Sequence, residues 1–358
     1  MRNYKLNKKK LLFIKNIKIF FILTFNFIII IFKLKYKKKI GVISLAHSHN
    51  IGNILLKYAI FIKLSQLDYD PYIVGIRKRK HNISLLQQYT KVKIINESFS
   101  EIKENEFDIL MVNSDQTWRN WDNYFYDVAF LNFSKNWNIP KLVYGASLGL
   151  DYWEFTKEDE NIAKYLLKNF TAISVREIGS VELIKNHLGI KPIFVLDPTL
   201  LIDKKYYLDL IKDFKNDDLV EKPFIFVYSV SSSNRLKKKL VNINPKYNIY
   251  YININVKDQI KKFIYGVYNC KGVITDSFHG TVFSIIFNKP FISFIDKNRG
   301  KERFNTLNSL FNFNNRIIEF NSSVNIELLE TPLKINNYLL RYYKKQSINF
   351  LKKNLKKY

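Results

Sequence analysis

The sequence predicts an α/β protein with two domains, each built around a parallel β-sheet. A chain of 358 residues that is 47% hydrophobic is long enough to form two cores. From residue 39 onward, short apolar runs alternate with stretches of helical periodicity, which is the pattern of βα units feeding a parallel sheet. A second such series begins after Asp197-Pro198, with a polar stretch at 203–222. We therefore expect an N-terminal domain at 39–202 and a C-terminal domain at 203–333, between a basic and apolar leader at 1–38 and a basic terminal helix at 334–358.

The leader contains an uncharged apolar run, residues 19–32, between lysine-rich segments. At about 1.5 Å per residue, this run is shorter than the ~30 Å hydrocarbon core of a bilayer. Extending it back to residue 11 adds Lys15 and Lys18, whose long side chains can reach the interface. No small-residue cleavage site follows it. We expect residues 11–32 to attach a cytoplasmic protein to the inner face of an anionic membrane; the alternative is a leader that is buried or does not belong to the protein.

Apolar runs in the N-terminal half mark its strands and helices in chain order. The first strand is expected at 40–45, and the helix at 50–66 that follows it has Ile51, Leu55 and Tyr58 on one face. The further strands are expected at 72–76, 107–112, 141–146, 172–175 and 193–196, with helices at about 158–168 and 180–186. Together these elements predict one doubly wound domain.

The C-terminal half repeats the alternation of strands and helices. Strands are expected near 224–229, 248–252, 272–275 and 291–295, and helices at about 258–268 and 280–287. The tail at 335–355 places Leu340, Tyr343, Phe350 and Leu351 at helical spacing, with lysines between them. This pattern predicts a terminal helix docked on its own domain, with a membrane-facing helix as the alternative.

Most of the positive charge lies at the two ends of the chain. The formal net charge is +27, but residues 1–40 hold 12 Lys or Arg and residues 334–358 hold 8, neither with an acidic residue, which leaves +7 for residues 41–333. Because this charge is not spread over a binding face and no recognised binding module is present, nucleic acid is not an expected partner. The single cysteine, Cys270, fits a reducing compartment, and no Cys/His cluster has zinc-ligand spacing, so we expect no metal.

Four polar segments follow predicted strands, at the edge where open α/β sheets bind ligands. The first, at 46–53, holds His47, His49, Asn50, Gly52 and Asn53. It lacks the Rossmann and Walker glycine patterns, so neither a dinucleotide site nor a P-loop is supported. For Asn50, helix capping is the competing interpretation.

The second and third segments place charged groups at the same edge. Ser114, Asp115 and Gln116 directly follow a predicted strand, and the competing interpretation is a tight turn in which Asp115 caps a helix. Arg176 emerges at the end of an apolar strand, where a guanidinium group can hold a phosphate or a carboxylate. A surface pair between Arg176 and Glu177 is the alternative.

The fourth segment, at 275–281, lies between a strand and a helix. His279 stands near the N-terminus of the predicted helix, with Asp276 as the expected acid beside it. Gly280 permits close approach of a ligand or of the preceding chain, and Ser277 adds a hydroxyl group. Isolated histidines are usually structural, but a histidine in a polar strand-to-helix turn is a candidate acid–base residue.

Five motifs, taken in this order, resemble the polysaccharide pyruvyl transferase family over residues 39–318. They are Asn50-Ile51-Gly52-Asn53, Ser114-Asp115-Gln116-Thr117-Trp118, Ser174-Val175-Arg176-Glu177, Asp197-Pro198-Thr199-Leu200-Leu201 and Thr275-Asp276-Ser277-Phe278-His279-Gly280. The resemblance implies two Rossmann-like domains facing each other across a cleft, similar to the GT-B arrangement of glycosyltransferases. It also implies transfer of the pyruvyl group of phosphoenolpyruvate to paired hydroxyls of an envelope or secreted polysaccharide, without a cofactor. The expected acceptor is a saccharide or a lipid-linked saccharide.

The resemblance also implies roles for individual residues. The family's catalytic histidine falls on His279, and Arg176 matches the arginine expected to hold the anionic donor. The candidate catalytic residues are therefore His279, Arg176 and Asp276. The candidate substrate-binding residues are Asn50, Gly52, Asn53, Ser114, Asp115, Gln116, Ser277, Gly280 and Arg303.

Two departures from the family pattern concern the donor. Ser277 stands where some members have an arginine, so a phosphate contact would fall to Arg299 or Arg303. Asn113 replaces the usual glycine before Ser-Asp-Gln, a mild change because asparagine also tolerates a positive φ angle. Two alternative functions stay open: a GT-B glycosyltransferase that uses a nucleotide-sugar, and a non-catalytic envelope-assembly protein of the same fold.

Overall fold

A computed structural model describes residues 36–45, 50–77, 83–119, 125–215, 223–231, 236, 247–252, 258–295 and 300–356. Most of the leader, including the candidate membrane segment 11–32, lies outside these ranges, as do His47, His49 and Arg299. Within the described ranges, no helix combines the length and the apolar character that crossing a bilayer requires.

Two parallel sheets, one in each half of the chain, form the framework. The strands are β1 Lys39–Ile43, β2 Asp70–Ile76, β3 Val92–Ile95, β4 Ile109–Val112, β5 Lys141–Ala146, β6 Ala172–Val175, β7 Ile193–Phe194, β8 Phe224–Tyr228, β9 Asn248–Tyr251, β10 Gly272–Thr275, β11 Phe291–Ile295 and β12 Ile317–Glu319. The N-terminal sheet has the order β3-β2-β1-β4-β5-β6-β7, and the C-terminal sheet has the order β12-β11-β10-β8-β9. Every pairing between these strands is parallel, which confirms the predicted α/β class with two Rossmann-like domains.

Helices connect most of the strands. They are α1 Ile51–Gln66, α2 Ile83–Gln87, α3 Phe125–Phe130, α4 Lys157–Leu167, α5 Ile178–Leu188, α6 Lys204–Asp209, α7 Gln259–Asn269, α8 Phe278–Ile286, α9 Lys301–Phe311 and α10 Asn337–Leu355. The central strands β4, β5, β8 and β10 are buried along their whole length, as expected for parallel strands covered on both faces. Because the strands of each sheet run the same way, the segments that follow them collect at one edge.

The sequence does not predict β3, β12 or α9. Strand β3 lies at a sheet edge, and of its residues only Ile95 is buried. Strand β12 is also an edge strand and has three residues, none of them fully buried. The two edge strands lack the continuous apolar run that marks a central strand. Helix α9 begins with the charged residues Lys301, Glu302 and Arg303, which obscure its helical pattern of apolar residues.

The terminal helix α10 packs against the N-terminal domain. The amide of Leu196 donates a hydrogen bond of 2.9 Å to Oγ of Ser347. The rings of Tyr144 and Phe350 lie 6.2 Å apart between centroids. The prediction that this helix docks on the C-terminal domain, which precedes it in the chain, is therefore wrong. Its apolar face is buried beside β5 and β7 of the N-terminal domain.

Glu160 in α4 binds a lysine and a histidine. Nζ of Lys157 lies 2.7 Å and Nδ1 of His187 lies 2.8 Å from its carboxylate oxygens. These hydrogen bonds, with that of Lys157 the stronger, lower the pKa of Glu160 from 4.5 to about 2. A carboxylate whose pKa is lowered by folding stabilises the folded state above its unfolded pKa, and this stabilisation is lost as the pH falls through the folded pKa.

We expect the Glu160→Gln variant to be less stable than the wild type at pH 7 and to lose less stability between about pH 5 and about pH 2. Urea unfolding at a series of pH values measures both effects. Glu182→Gln, which changes an exposed glutamate of α5, is the control. Parallel stability profiles for wild type and Glu160→Gln would contradict the role of Glu160.

Candidate active site

The candidate site lies between the two domains, at the carboxyl ends of both sheets. Its N-terminal side consists of the segments that follow β4, β5, β6 and β7 and the first turn of α1, and its C-terminal side consists of the β10–α8 turn and α9. The amide of Ile178 donates to Oγ1 of Thr306 at 3.0 Å, and the amide of Glu302 donates to the carbonyl of Gly149 at 3.3 Å. The two domains therefore face each other, as the resemblance implies.

His279 lies in the first turn of α8 and contacts the N-terminal domain. Its ring is buried, and its Nε2 atom lies 3.7 Å from Oδ2 of Asp197, beyond hydrogen-bond distance. Within the described part of the chain, Nε2 has no hydrogen-bond partner. A buried ring nitrogen beside a carboxylate, with no hydrogen-bond partner among the described residues, is placed to exchange a proton with a ligand.

Asp197 fixes the turn that follows β7 and supplies a negative charge at the interface. Its Oδ1 accepts hydrogen bonds from the amide and the hydroxyl of Thr199, at 2.9 and 2.6 Å, and its Oδ2 accepts one from Nη1 of Arg176. Burial alone would raise the pKa of Asp197, but Arg176, and after it His279, hold this pKa well below its usual range. The sequence motif contains Asp197 but indicates no role for it.

Arg176 is surrounded by three carboxylates, and its side chain is fully buried. Nη1 binds Asp197, Nη2 lies 3.1 Å from Oδ1 of Asp115, and Nε lies 3.5 Å from Oε1 of Glu177. Burial alone would lower the pKa of Arg176, whereas the carboxylates, Asp197 first, raise it. This geometry indicates that the guanidinium group of Arg176 holds the three carboxylates in position. It does not favour the predicted direct contact of Arg176 with an anionic donor.

Asp115 links the loop after β4 to α1. Its φ angle is +90°, a conformation that few residues other than glycine adopt. Oδ1 also accepts a hydrogen bond from the amide of Gln116, and Oδ2 accepts one from Nδ2 of Asn53, both at 2.9 Å. The segment forms the tight turn of the competing interpretation, although no helix begins at residues 116–119. The predicted site residues Asn53, Asp115 and Arg176 are brought together.

Lys57 lies one helical turn beyond Asn53 and is also buried. Its Nζ atom donates a hydrogen bond of 2.9 Å to the carbonyl of Leu45, at the end of the segment that follows β1. Burial lowers the pKa of Lys57 to about 7, and the charge of Asp115 partly opposes this shift. The sequence pattern does not predict this position for Lys57, because a lysine in a largely apolar helix is usually solvated.

Two guanidinium groups lie against the ring of Phe278. Cζ of Arg176 is 5.0 Å and Cζ of Arg303 is 5.2 Å from the ring centroid. Burial, followed by the charge of Arg176, lowers the pKa of Arg303 to about 10, so Arg303 is still protonated at neutral pH. Arg119 adds positive charge near Arg303, and its Nε atom lies 3.4 Å from Oε1 of Glu154. Arg119 is not among the predicted site residues, although it directly follows the Ser-Asp-Gln-Thr-Trp motif.

Several buried polar atoms at the edge of the N-terminal sheet have no hydrogen-bond partner among the described residues. They are Oγ of Ser44, Ser114 and Ser147, Oδ1 of Asn53 and both amide atoms of Asn113. They belong to the segments that follow β1, β4 and β5 and to the first turn of α1. Because an unpaired buried polar atom costs about 1–3 kcal/mol, these atoms are candidates to bind a polar ligand.

Asp276 does not pair with His279. Its carboxylate accepts hydrogen bonds from Oγ of Ser229 and the amide of Val230, both at 2.7 Å, and from the amide and hydroxyl of Ser231. The prediction that Asp276 is the acid beside the histidine is therefore wrong. The side chain of Asp276 holds the loop after the neighbouring strand β8, and Asp197 from the other domain lies beside the histidine instead.

Three predicted substrate-binding residues have local structural roles. Oδ1 of Asn50 accepts a hydrogen bond from the amide of Asn53 at 3.3 Å and caps α1, which confirms the competing interpretation. Oγ of Ser277 accepts one from the amide of Gly280 at 3.3 Å and caps α8. A Cβ atom at Gly280 would lie 2.9 Å from Cβ of Thr275 and closer still to its Oγ1, so glycine is needed for the close contact with β10.

Solved structures with a similar fold are distant from this chain in sequence. UDP-GlcNAc 2-epimerase from Neisseria meningitidis, bound to UDP-GlcNAc, is 12% identical with a TM-score of 0.53, and the match covers 88% of this chain and 100% of that chain. MnaA from S. aureus, in a structure with UDP, is 12% identical with a TM-score of 0.54, and the match covers 90% of this chain and 97% of that chain. At this identity the likeness shows the fold alone, and it agrees with a GT-B-like pair of Rossmann-like domains.

Sequence comparison places the chain in a family. No curated protein matches it significantly. The profile of the family described as polysaccharide pyruvyl transferase matches residues 50–298, more than two thirds of the chain. This region contains all five motifs and includes Arg176 and Asp197 of one domain and His279 of the other. The chain therefore belongs to the polysaccharide pyruvyl transferase family.

Proposed function

We propose that the protein transfers the pyruvyl group of phosphoenolpyruvate to two neighbouring hydroxyls of a saccharide, forming a cyclic ketal on an envelope or secreted polysaccharide. Family membership supports a transferase of polysaccharide biosynthesis. The observation that carries the specific reaction is the position of His279 Nε2, buried at the domain interface 3.7 Å from the ionised Asp197. Arg303 adds positive charge beside it, across the ring of Phe278. The site thus combines a proton-transfer group with cations for an anionic donor.

The proposed reaction has two steps at one carbon, an addition and then a substitution. In the first, a hydroxyl oxygen of the acceptor bonds to C2 of phosphoenolpyruvate while a proton is added to C3, which turns the methylene group into a methyl group. In the second, the neighbouring hydroxyl displaces inorganic phosphate from C2. Each hydroxyl loses one proton, of which one equivalent is added at C3 and the other leaves with phosphate. His279 is proposed to transfer these protons, while the charge of Asp197 compensates that of the protonated ring.

The proposal divides the site between donor and acceptor. Arg303 and Arg119 are proposed to bind the phosphate and carboxylate groups of the donor, because guanidinium groups match both in charge and shape. The neutral polar groups of Asn53, Ser114 and Gln116 are proposed to bind the acceptor hydroxyls. No metal or other cofactor takes part in the proposed reaction.

Product analysis tests this function directly. The purified protein is incubated with phosphoenolpyruvate and extracted envelope polysaccharide, and inorganic phosphate and the acceptor mass are followed together. We expect one phosphate for each acceptor unit that gains the mass of pyruvate less one water. Phosphoenolpyruvate should also raise the melting temperature, because a ligand at about 100 times its Kd stabilises the folded state by about 2.7 kcal/mol.

The same measurements separate the two alternatives. Stabilisation by UDP-GlcNAc but not by phosphoenolpyruvate would favour a nucleotide-sugar transferase. Two proteins of similar fold have structures with UDP and with UDP-GlcNAc. Neither stabilisation nor turnover would favour a non-catalytic envelope-assembly protein.

Gly52 lets the ring of His279 approach the first turn of α1. A Cβ atom at position 52 would lie 2.7 Å from Cβ of His279 and closer still to Cγ and Nδ1 of the ring. We expect the Gly52→Ala variant to displace this ring and lower kcat about 100-fold, the effect of a shift of about 1 Å at a reacting group. Phosphate release measures the rate. Ser65→Ala, a change near the other end of α1, is the control, and an unchanged kcat in Gly52→Ala would show that the ring position is not needed.

A further inference from the structure

The terminal helix α10 has one buried face and one strongly basic face. Phe350 and Leu351 are buried against the N-terminal domain. The opposite side of the helix is exposed and carries a cation at nearly every turn. We call this side the basic face; its cations are Arg341, Lys345, Lys352, Lys353 and Lys356.

The charge of the basic face is not balanced by acidic residues on its own segment. Residues 334–358 contain no Asp or Glu. The five cations of the basic face are all exposed, so this side of the helix is complementary to a dense array of negative charges.

Two tyrosines stand beside the cations on the exposed side of the same helix. Tyr338 is 76% and Tyr342 is 53% exposed, and they lie four residues apart, on one side of the helix. Exposed aromatic rings with a polar end, next to lysines and arginines, are typical of helices that lie at the boundary between water and lipid.

We propose that the basic face of α10, with Tyr338 and Tyr342, binds the surface of a bilayer rich in anionic lipids. The cations attract the negatively charged headgroups, and the two tyrosine rings lie at the level of the headgroups. This contact is separate from the one predicted for residues 11–32, and it does not depend on the proposed reaction.

A single fluorescent label can test this face apart from the rest of the chain. Co-sedimentation alone is not sufficient, because residues 1–40 hold 12 Lys or Arg that would also bind anionic vesicles. The only cysteine, Cys270, is buried, so the Asn349→Cys variant has one exposed thiol, on the exposed side of α10. A polarity-sensitive fluorophore on this thiol should shift to the blue with phosphatidylglycerol vesicles and not with phosphatidylcholine vesicles, and about 0.5 M salt should reverse the shift.

Substitutions in the labelled full-length protein test the chemistry of the contact. The triple variant Arg341→Gln, Lys345→Gln and Lys352→Gln should need about 100-fold more vesicle lipid to reach half of the maximal shift. Tyr338→Ser with Tyr342→Ser should also weaken it, although the charge is unchanged. The matched control, Lys135→Gln with Lys168→Gln and Lys271→Gln, neutralises three exposed lysines on other surfaces and should have little effect.

Three results would overturn the proposal. One is sedimentation with phosphatidylglycerol vesicles without a shift of the label, which would mean that another surface binds lipid. The second is an equal shift with phosphatidylcholine. The third is an equal shift with heparin that the tyrosine substitutions do not affect, which would identify a general polyanion site and not a bilayer contact.

Discussion

The His279→Ala variant is expected to lose about 10²–10⁴-fold in kcat for pyruvyl transfer, the usual effect of removing a general acid–base group. Neither of the two charged groups described beside it, Asp197 and Arg303, can take over its function. Asp197 is bound by Arg176 and Thr199, and Arg303 remains protonated at neutral pH. Phosphate release at saturating phosphoenolpyruvate measures the loss.

Stability must be followed with activity in the same variant. Because His279 Nε2 has no hydrogen-bond partner among the described residues, its removal should cost little melting temperature. His187→Ala removes another partly buried histidine, bound to Glu160, and should leave kcat unchanged. If His279→Ala fails to fold, the histidine is structural; if it folds and keeps its full rate, the acid–base assignment is wrong.

The Arg176→Met variant is expected to lower the free energy of unfolding by about 3–5 kcal/mol, because it removes the cation that compensates three buried carboxylates. Methionine fills much of the arginine volume without its charge, so a cavity is not the main cause. Urea unfolding at pH 7 measures the loss. If the variant does not fold at pH 7, adding Asp197→Asn, which removes one of the three buried charges, should restore part of the stability.

A second buried arginine supplies the matched control. Arg316 donates to the carbonyls of Phe291, Leu328 and Thr331 at 2.7–3.3 Å, and to no carboxylate that the structure describes. In Arg176→Met, Asp197 lacks the cation that lowers its pKa, and burial then raises this pKa. Protonation of Asp197 should therefore shrink the loss in Arg176→Met between about pH 7 and pH 4, whereas the loss in Arg316→Met should not shrink. Equal pH profiles for the two variants would show that the carboxylates do not cause the loss.

The central part of the fold is predictable from the sequence. Strands β5, β6, β10 and β11 begin and end at the predicted residues, because they are apolar runs bounded by turns. The edge strands β3 and β12 are not predicted, since a strand with one partner and an exposed side lacks a continuous apolar run. The location of α10 is not predicted either, because an amphipathic pattern shows that a face is buried but not which domain covers it.

The sequence motifs predict which loops form the site, but not which side chains meet. Asp276 is a neighbour of His279 in sequence, yet its side chain binds the loop after β8. Asp197 lies close to His279 only because two domains come together. The role of Arg176 likewise depends on Asp115 and Asp197, two carboxylates from separate loops. Contacts of this kind depend on tertiary packing, about which local patterns contain no information.

The return of α10 to the N-terminal domain means that the chain passes between the domains twice, once between β7 and β8 and again before residue 337. With two covalent connections, the easiest motion of one domain relative to the other is rotation about the line through the two connections. The connections oppose sliding and twisting of the domains against each other. Opening by such a hinge would separate His279 from Asp197 and from Gly52, and closing would restore the same distances each time. The fraction of time that the hinge is closed would then set an upper limit on the turnover rate, independently of how well the chemical groups perform once they meet.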